Sequence, residues 1–171
     1  SMTEANNPEQ QVPIAFGTQV ATRSVVESDK EGMDNFTLWG WVRESDGPKL
    51  FFDAASVTPS GNYGEKRFWA VGRPYDFFAL HPEKMKEEGI AAEVSCNDKG
   101  ELRVTGFDSS GMGKDAVDLM TATETDVTYE GGGTMAPVLL AFKHELAQVK
   151  LTVRTGEKLA EVSDIRLFGV D

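Results

Sequence analysis

Residues 36–41, FTLWGW, alternate between two sets of side chains. Phe36, Leu38 and Gly40 form one set, and a threonine and two tryptophans between them form the other. A period of two is the repeat of a β-strand, in which successive side chains point to opposite faces of a sheet. The stretch therefore predicts a strand, and no long amphipathic helix is predicted elsewhere in the chain.

Short apolar or aromatic segments separated by turn residues recur along the rest of the chain. A strand is predicted at KLFFDAASVT, followed by the turn PSGNYGEK, and a hairpin at IAAEVSCNDKGELRVTGF. Further strands are predicted at VPIAFGTQV, RFWAV, YDFFAL, VLLAFKHELAQVKLTVRT and VSDIRLFGV. HPEKMKEEG, residues 81–89, predicts one short helix or helical turn. The pattern indicates an all-β fold, a β-sandwich of about seven to nine strands.

The domain organisation follows from length and local composition. Residues 1–11 are polar and without periodicity, which predicts a disordered leader, and Ser1-Met2 is interpreted as a tag remnant. Residues 12–171 are predicted to form a single β-sandwich domain, because a chain of 171 residues is long enough to bury a core. No apolar run approaches the roughly 18–20 residues that cross a bilayer.

The charge balance excludes two classes of partner. The chain has 17 Lys and Arg against 28 Asp and Glu, a net charge of -11, and the acidic residues are spread along the sequence. Binding to nucleic acid or to an anionic membrane surface requires a basic patch. We therefore expect neither nucleic-acid binding nor direct binding to a membrane surface.

His144 and Glu145 begin the sequence HELAQ, which looks like the start of a zinc-protease helix. That helix needs a second histidine four positions after the first, and Gln148 stands there instead. The only other histidine, His81, lies beside Pro82 in a predicted turn. No metal site is predicted, and His144 is interpreted as a strand-end or capping residue.

No other catalytic pattern is complete. A phosphate-binding loop would need glycine at Asp108 and a hydroxyl residue at Asp115. The sequence has no GxSxG elbow, and the single cysteine, Cys96, is interpreted as a buried strand residue without a histidine partner. No pair of carboxylates is singled out for glycoside cleavage. We expect no cofactor and no enzymatic activity.

Seven segments carry a family resemblance by their order and spacing. They are IAF at 14–16, ATR at 21–23, FTLWGW at 36–41, RFWAVGRPYDFFALHP at 67–82, DLMTA at 118–122, VLLAFKHELAQVKLTV at 138–153 and IRLFGV at 165–170. Together they resemble the N-terminal domain of the fimbrillin family, pilin-like surface proteins of Bacteroidales that build type V pili. The resemblance implies a transthyretin-like β-sandwich. It also implies that residues 138–153 contain a core strand with Phe142 facing the interior, followed by His144 and Leu146 on the same face.

The resemblance implies a function and a location as well. Family members are structural or adhesive fimbrial subunits on the outer membrane, which would make other pilus subunits or host and bacterial surface ligands the partners. Contact with the membrane would come only through a lipid anchor that lies outside this sequence. In polymerising members an arginine-specific protease removes the first strand, and a strand of another subunit fills the groove. The matching cleavage position is Arg23, and the displaced strand would contain Ile14 and Phe16.

Two other functions stay open at this point. Trp39, Trp41, Tyr63 and Trp69 could stack on a sugar face, although aromatic residues in alternating strands are more often part of the core. The alternative is therefore a non-polymerising carbohydrate- or protein-binding module at the cell surface. A hydrolase is the third possibility, and the lack of an assembled nucleophile or metal set counts against it.

Overall fold

The computed structural model describes residues 11–21, 33–84, 93–105 and 119–144. The described residues form eight strands and no helix. The strands are β1 (Phe16–Val20), β2 (Phe36–Glu44), β3 (Gly47–Val57), β4 (Pro74–His81), β5 (Glu93–Cys96), β6 (Leu102–Thr105), β7 (Met120–Thr128) and β8 (Val138–His144). The predicted leader, apart from Gln11, and the strands predicted after His144 lie outside the described residues.

Six strands form one mixed sheet in the order β1-β8-β7-β4-β2-β3. β1 and β8 run parallel, and the other neighbours are antiparallel. The two ends of this sheet meet, because the ring centroid of Phe16 in β1 lies 5.8 Å from that of Phe52 in β3. Phe36 in β2 likewise contacts Phe142 in β8, with ring centroids 4.9 Å apart. The sheet thus folds over onto a shared core, which confirms the predicted all-β class and is consistent with a β-sandwich.

The alternation in β2 sets one wall of the core. Phe36, Leu38 and Val42 are buried on the inner face, and Gly40 shares their face. A Cβ atom at Gly40 would lie 2.8 Å from the Phe52 ring and 3.2 Å from the Phe77 ring. The glycine is therefore needed because two aromatic rings pack directly against its backbone.

Strand β4 is buried on both faces. Its inner residues Tyr75, Phe77 and Ala79 belong to the main core, whereas Phe78 points to the outer face. There the β5–β6 hairpin covers the sheet, since a Cβ atom at Gly100 would lie 2.6 Å from the Phe78 ring. The buried apolar residues outside the main cluster are Trp39, Phe78, Leu80, Cys96, Leu102 and Leu119. The hairpin is the predicted one, and in it Cys96 pairs with Leu102.

Two local predictions need correction. RFWAV was expected to be a strand, but of its residues only Phe68 pairs, through an isolated antiparallel bridge to Pro13. Gly72, in a left-handed conformation with φ 82°, then turns the chain before β4. The helix expected over residues 81–89 does not begin at 81–84, because His81 pairs with Met120 and extends β4 to that point. The rest of that stretch lies outside the described residues.

Among the described strands, β3 is the outermost at one end of the sheet. Its register with β2 shifts around Phe51, and Ala54 has a positive φ of 54°. The Arg67 guanidinium lies 3.7 Å from the centroid of the Phe51 ring and donates a hydrogen bond to the Phe51 carbonyl. This end of the sheet is therefore both kinked and occupied by a cationic side chain.

An ion-pair network ties β2, β4 and β7 together. Arg43 donates to both carboxylate oxygens of Asp76, at 2.8 and 3.2 Å, and to Asp126 at 2.8 Å. Asp76 is buried and also accepts from the Asp126 backbone N–H at 2.9 Å. The hydrogen bond to Asp76 is the main reason that the pKa of Arg43 is raised above its ordinary value.

Replacing Asp76 with alanine is expected to lower the free energy of unfolding by about 2 kcal/mol, because the partly buried N–H of Asp126 loses its acceptor and the half-exposed Arg43 guanidinium keeps only Asp126. Urea unfolding of the purified variant measures this. Asp46→Ala is the control, since Asp46 pairs with Lys49 at the surface and should give no measurable change. Equal effects of both substitutions would mean that the network contributes nothing beyond surface charge.

Candidate functional site

The residues before and within β1 form the first segment, residues 12–20, which lies at the other end of the sheet. β1 pairs with β8 in parallel, from Phe16 opposite Val138 to Val20 opposite Phe142. The Val138 N–H donates to the Ala15 carbonyl at 2.8 Å and continues this ladder. Within the part of the chain that the structure describes, β1 therefore pairs with a strand on one side only.

The beginning of the first segment is held by the stretch that follows the PSGNYGEK turn. The Ile14 N–H donates to the Arg67 carbonyl at 2.8 Å, and the Trp69 N–H donates to the Val12 carbonyl at 3.0 Å. These two bonds flank the bridge between Pro13 and Phe68. The first segment therefore makes its main-chain hydrogen bonds to residues 67–69 at its beginning and to β8 further along.

Phe16 occupies an aromatic cage. Its ring centroid lies 5.2 Å from that of Phe77, 5.8 Å from Phe52 and 5.7 Å from Tyr63, and all three contacts are edge-to-face. Phe16 is 5% exposed and Ile14 is 2% exposed. Each aromatic pair contributes about 0.5–1.5 kcal/mol beyond simple burial, so this outermost strand supplies an anchoring residue of the core.

The loop of residues 58–64, which we call the strand clamp, covers the first segment with two further hydrogen bonds. The Thr18 hydroxyl donates to the Pro59 carbonyl at 2.7 Å. The Tyr63 hydroxyl donates to the Ile14 carbonyl at 2.5 Å. One bond depends on the side chain of the first segment and the other only on its backbone.

Gly61 brings the strand clamp against the backbone of the first segment. Its φ is +94°, and a Cβ atom built there would lie 2.2 Å from the Phe16 carbonyl oxygen. Hydrogen bonds within the loop hold this shape: Thr58 N–H to the Asn62 carbonyl at 3.0 Å, and Asn62 N–H to the Thr58 hydroxyl at 3.0 Å. The clamp is therefore a preformed turn with glycine at the point of contact.

The structure brings together part of the residue set proposed from sequence. Ile14 and Phe16 are both buried in the first segment, and Phe142 is fully buried in β8 opposite Val20. His144 is the last residue of β8 and is exposed. Arg23 and Leu146 lie outside the described residues.

Sequence reasoning missed the clamp. PSGNYGEK was read only as a turn, and Tyr63 was considered as an exposed sugar-stacking residue, whereas its ring faces Phe16. Trp39 and Trp69 are buried as well, so they offer no stacking platform. The signal for the clamp in the sequence was Tyr63 between Gly61 and Gly64, because a bulky ring in a turn needs a surface to pack against.

Cys96 does not resemble a reactive thiol. Burial, with a smaller contribution from the nearby acidic residues Asp98 and Glu101, raises the pKa of its thiol to about 12. A reactive cysteine needs a lowered pKa and access to solvent. The described residues also contain no group of three or more His, Cys, Asp or Glu side chains that could hold a metal ion.

The raised pKa of Cys96 predicts a loss of stability in alkali. The unfolded thiol ionises near pH 8.5, so above about that pH the unfolded state binds fewer protons than the folded state. The contribution of the protonated thiol to the free energy of unfolding is complete below about pH 8.5 and is lost as the pH rises towards about 12. Unfolding free energies measured at about pH 8 and pH 10 should therefore fall more in the natural protein than in Cys96→Ala. Parallel profiles would contradict this.

The comparisons with known proteins give one match. A family model described as fimbrillin-like matches residues 22–170, which include every described strand except β1. Searches of curated proteins and of solved structures returned no match. No helix in the described part of the chain has the length and apolar character required to cross a bilayer.

The match extends over most of the 171 residues. Fimbrillins are structural pilins, and membership supports a fimbrial role at the cell surface in association with other pilus subunits. The chain belongs to the fimbrillin-like family.

Proposed function

We propose that this chain is a fimbrial subunit that assembles by strand exchange after cleavage following Arg23. Cleavage would separate residues 1–23 from the rest of the chain and leave the first segment held by non-covalent contacts alone. A strand of another subunit then replaces it. We further propose that the subunit is exported and carried on the outer membrane by a lipid anchor outside this sequence.

One observation carries this proposal: the outermost strand of the sheet supplies a core residue. Phe16 packs against rings from β3, β4 and the strand clamp, yet among the described strands β1 pairs only with β8. Its departure would expose the Phe52 and Phe77 rings and the unpaired edge of β8. An apolar groove beside an open strand edge is the surface that β-strand addition requires.

The family match covers residues 22–170, and all of these except Thr22 and Arg23 would remain after cleavage. Removal of the first segment leaves all strands from β2 to β8 in a single covalent piece.

The experiment is digestion with an arginine-specific protease, with Arg23→Lys as the matched control. Lysine keeps the positive charge and removes the cleavage specificity. We expect cleavage of the natural chain after Arg23, shown by mass spectrometry, followed by a shift to oligomers in size-exclusion chromatography with light scattering. The lysine variant should resist cleavage at that position and stay unshifted.

Two results would count against the proposal. A cleaved chain that releases the first segment but stays monomeric at high concentration would favour the non-polymerising binding module. Cleavage that spares Arg23 while cutting elsewhere in the folded chain would remove the proposed processing site.

A further inference from the structure

We infer that the groove selects the strand that enters it at two positions, requiring an aromatic ring where Phe16 now lies and a hydroxyl where Thr18 now lies. The strand clamp contacts both positions. The inference rests on the proposed function, because it concerns which segment can replace the first one. The partner it describes is an extended segment with the pattern aromatic-x-Ser/Thr, lying parallel to β8.

The aromatic requirement comes from the rigidity of the cage around Phe16. Its three rings belong to three separate elements, and all meet the Phe16 ring edge-on. Two of them, Phe52 and Phe77, already pack against the backbone of Gly40. These two rings cannot shift into the space that the Phe16 ring now fills. A small residue at that position would therefore leave a cavity.

The hydroxyl requirement comes from Thr18. Its side chain is buried, and it donates to the Pro59 carbonyl at 2.7 Å. Valine has the same shape without the donor, so it would leave that partly buried carbonyl without this bond. The requirement is therefore for a hydrogen-bond donor and not for a particular volume.

The main-chain contacts of the first segment hold any sequence equally. The Tyr63 hydroxyl binds the Ile14 carbonyl, Gly61 meets the Phe16 carbonyl, and β8 pairs with the main chain. These backbone contacts provide affinity without selection. Selection comes from the buried side chains: the cage and the clamp set the requirements at positions 16 and 18, and Ile14 adds a buried apolar position.

The test opens the groove without relying on Arg23. A recognition site for a protease of different specificity is placed between residues 24 and 32, and the folded protein is nicked there, so that every residue is still present. Fluorescein-labelled peptides with the sequence of residues 12–21 are then exchanged into the nicked protein in mild denaturant. Fluorescence polarisation gives the affinity of each peptide in competition.

We expect the parent peptide to enter, the Phe16→Ala peptide to bind at least about 100-fold more weakly and the Thr18→Val peptide about 10-fold more weakly. A Gln19→Ala peptide is the matched control, because Gln19 is exposed in the same strand, and it should stay within about 3-fold of the parent. Tyr63→Phe in the protein should weaken all peptides by the same factor, since its hydroxyl contacts only backbone.

The outcomes separate the inference from the proposed function. If all peptides enter with equal affinity, or if Gln19→Ala binds as poorly as Phe16→Ala, selection at these positions is wrong while strand exchange stands. If the parent peptide does not enter a fully nicked protein, strand exchange itself is refuted, and the selectivity with it.

Discussion

Gly61→Ala is expected to destabilise the protein by about 2–5 kcal/mol, measured by urea unfolding. Two effects add. A residue with a Cβ atom is strained at a φ of +94° by about 1–2 kcal/mol, and the new atom would lie 2.2 Å from the Phe16 carbonyl oxygen. The clamp or the first segment must then shift, which costs about 1–3 kcal/mol more.

Gly64→Ala separates the two effects. Gly64 has a similar φ of +101°, but nothing lies within 4 Å of the position that its Cβ would take. Alanine there should cost only the conformational strain, about 1–2 kcal/mol. If both variants lose the same stability, the close contact between the clamp and the first segment is not part of the folded protein in solution.

Phe142→Ala is expected to lower the free energy of unfolding by about 3–5 kcal/mol. Phe142 is 0% exposed, packs against Phe36 and lies opposite Val20 of the first segment. A domain of ordinary stability has about 5–15 kcal/mol in total, so the variant should be close to unfolding at room temperature. Urea titration followed by tryptophan fluorescence measures the change.

Leu139→Ala is the control within the same strand. Leu139 is 48% exposed on the opposite face of β8, so its truncation should change stability by no more than about 0.5 kcal/mol. A large loss at Leu139 with a small loss at Phe142 would reverse the assignment of the two faces. It would also mean that the face of β8 with Phe142 does not pack in the core.

The sequence predicted best the strands whose burial follows a simple repeat. β2 alternates Phe36 and Leu38 with its outer residues, and the alternation alone identifies the strand and its inner face. β4, the aromatic YDFFAL stretch, was found by its β-forming side chains, which suit a strand buried on both sides. The hairpin around Cys96 was predicted from its turn residues.

The sequence could not predict features that depend on distant residues. The aromatic stretch RFWAV looks like a strand, but its partner is only the short Pro13 region. The residues of β7, MTATETDVT, are mostly polar, so their pattern did not predict a strand. This strand forms by pairing with β4, a segment that is distant in the sequence.

The candidate site was predicted only in part, because some of its contacts also join residues that are distant in the sequence. Ile14 and Phe16 could be assigned to one face from their spacing, and both are buried. The contact between Thr18 and Pro59 joins residues 41 positions apart, and no local pattern indicates it. A site made where two remote segments cross requires coordinates, even when each segment is classified correctly.

The kinked strand β3 has a consequence for the shape of any polymer. Arg67 occupies the Phe51 carbonyl and ring, and the register shift there breaks the straight row of main-chain groups that a neighbouring molecule would need. Sideways stacking of copies through this margin would first have to displace the guanidinium. In the proposed polymer, growth would therefore be confined to a single row of subunits, without lateral sheets.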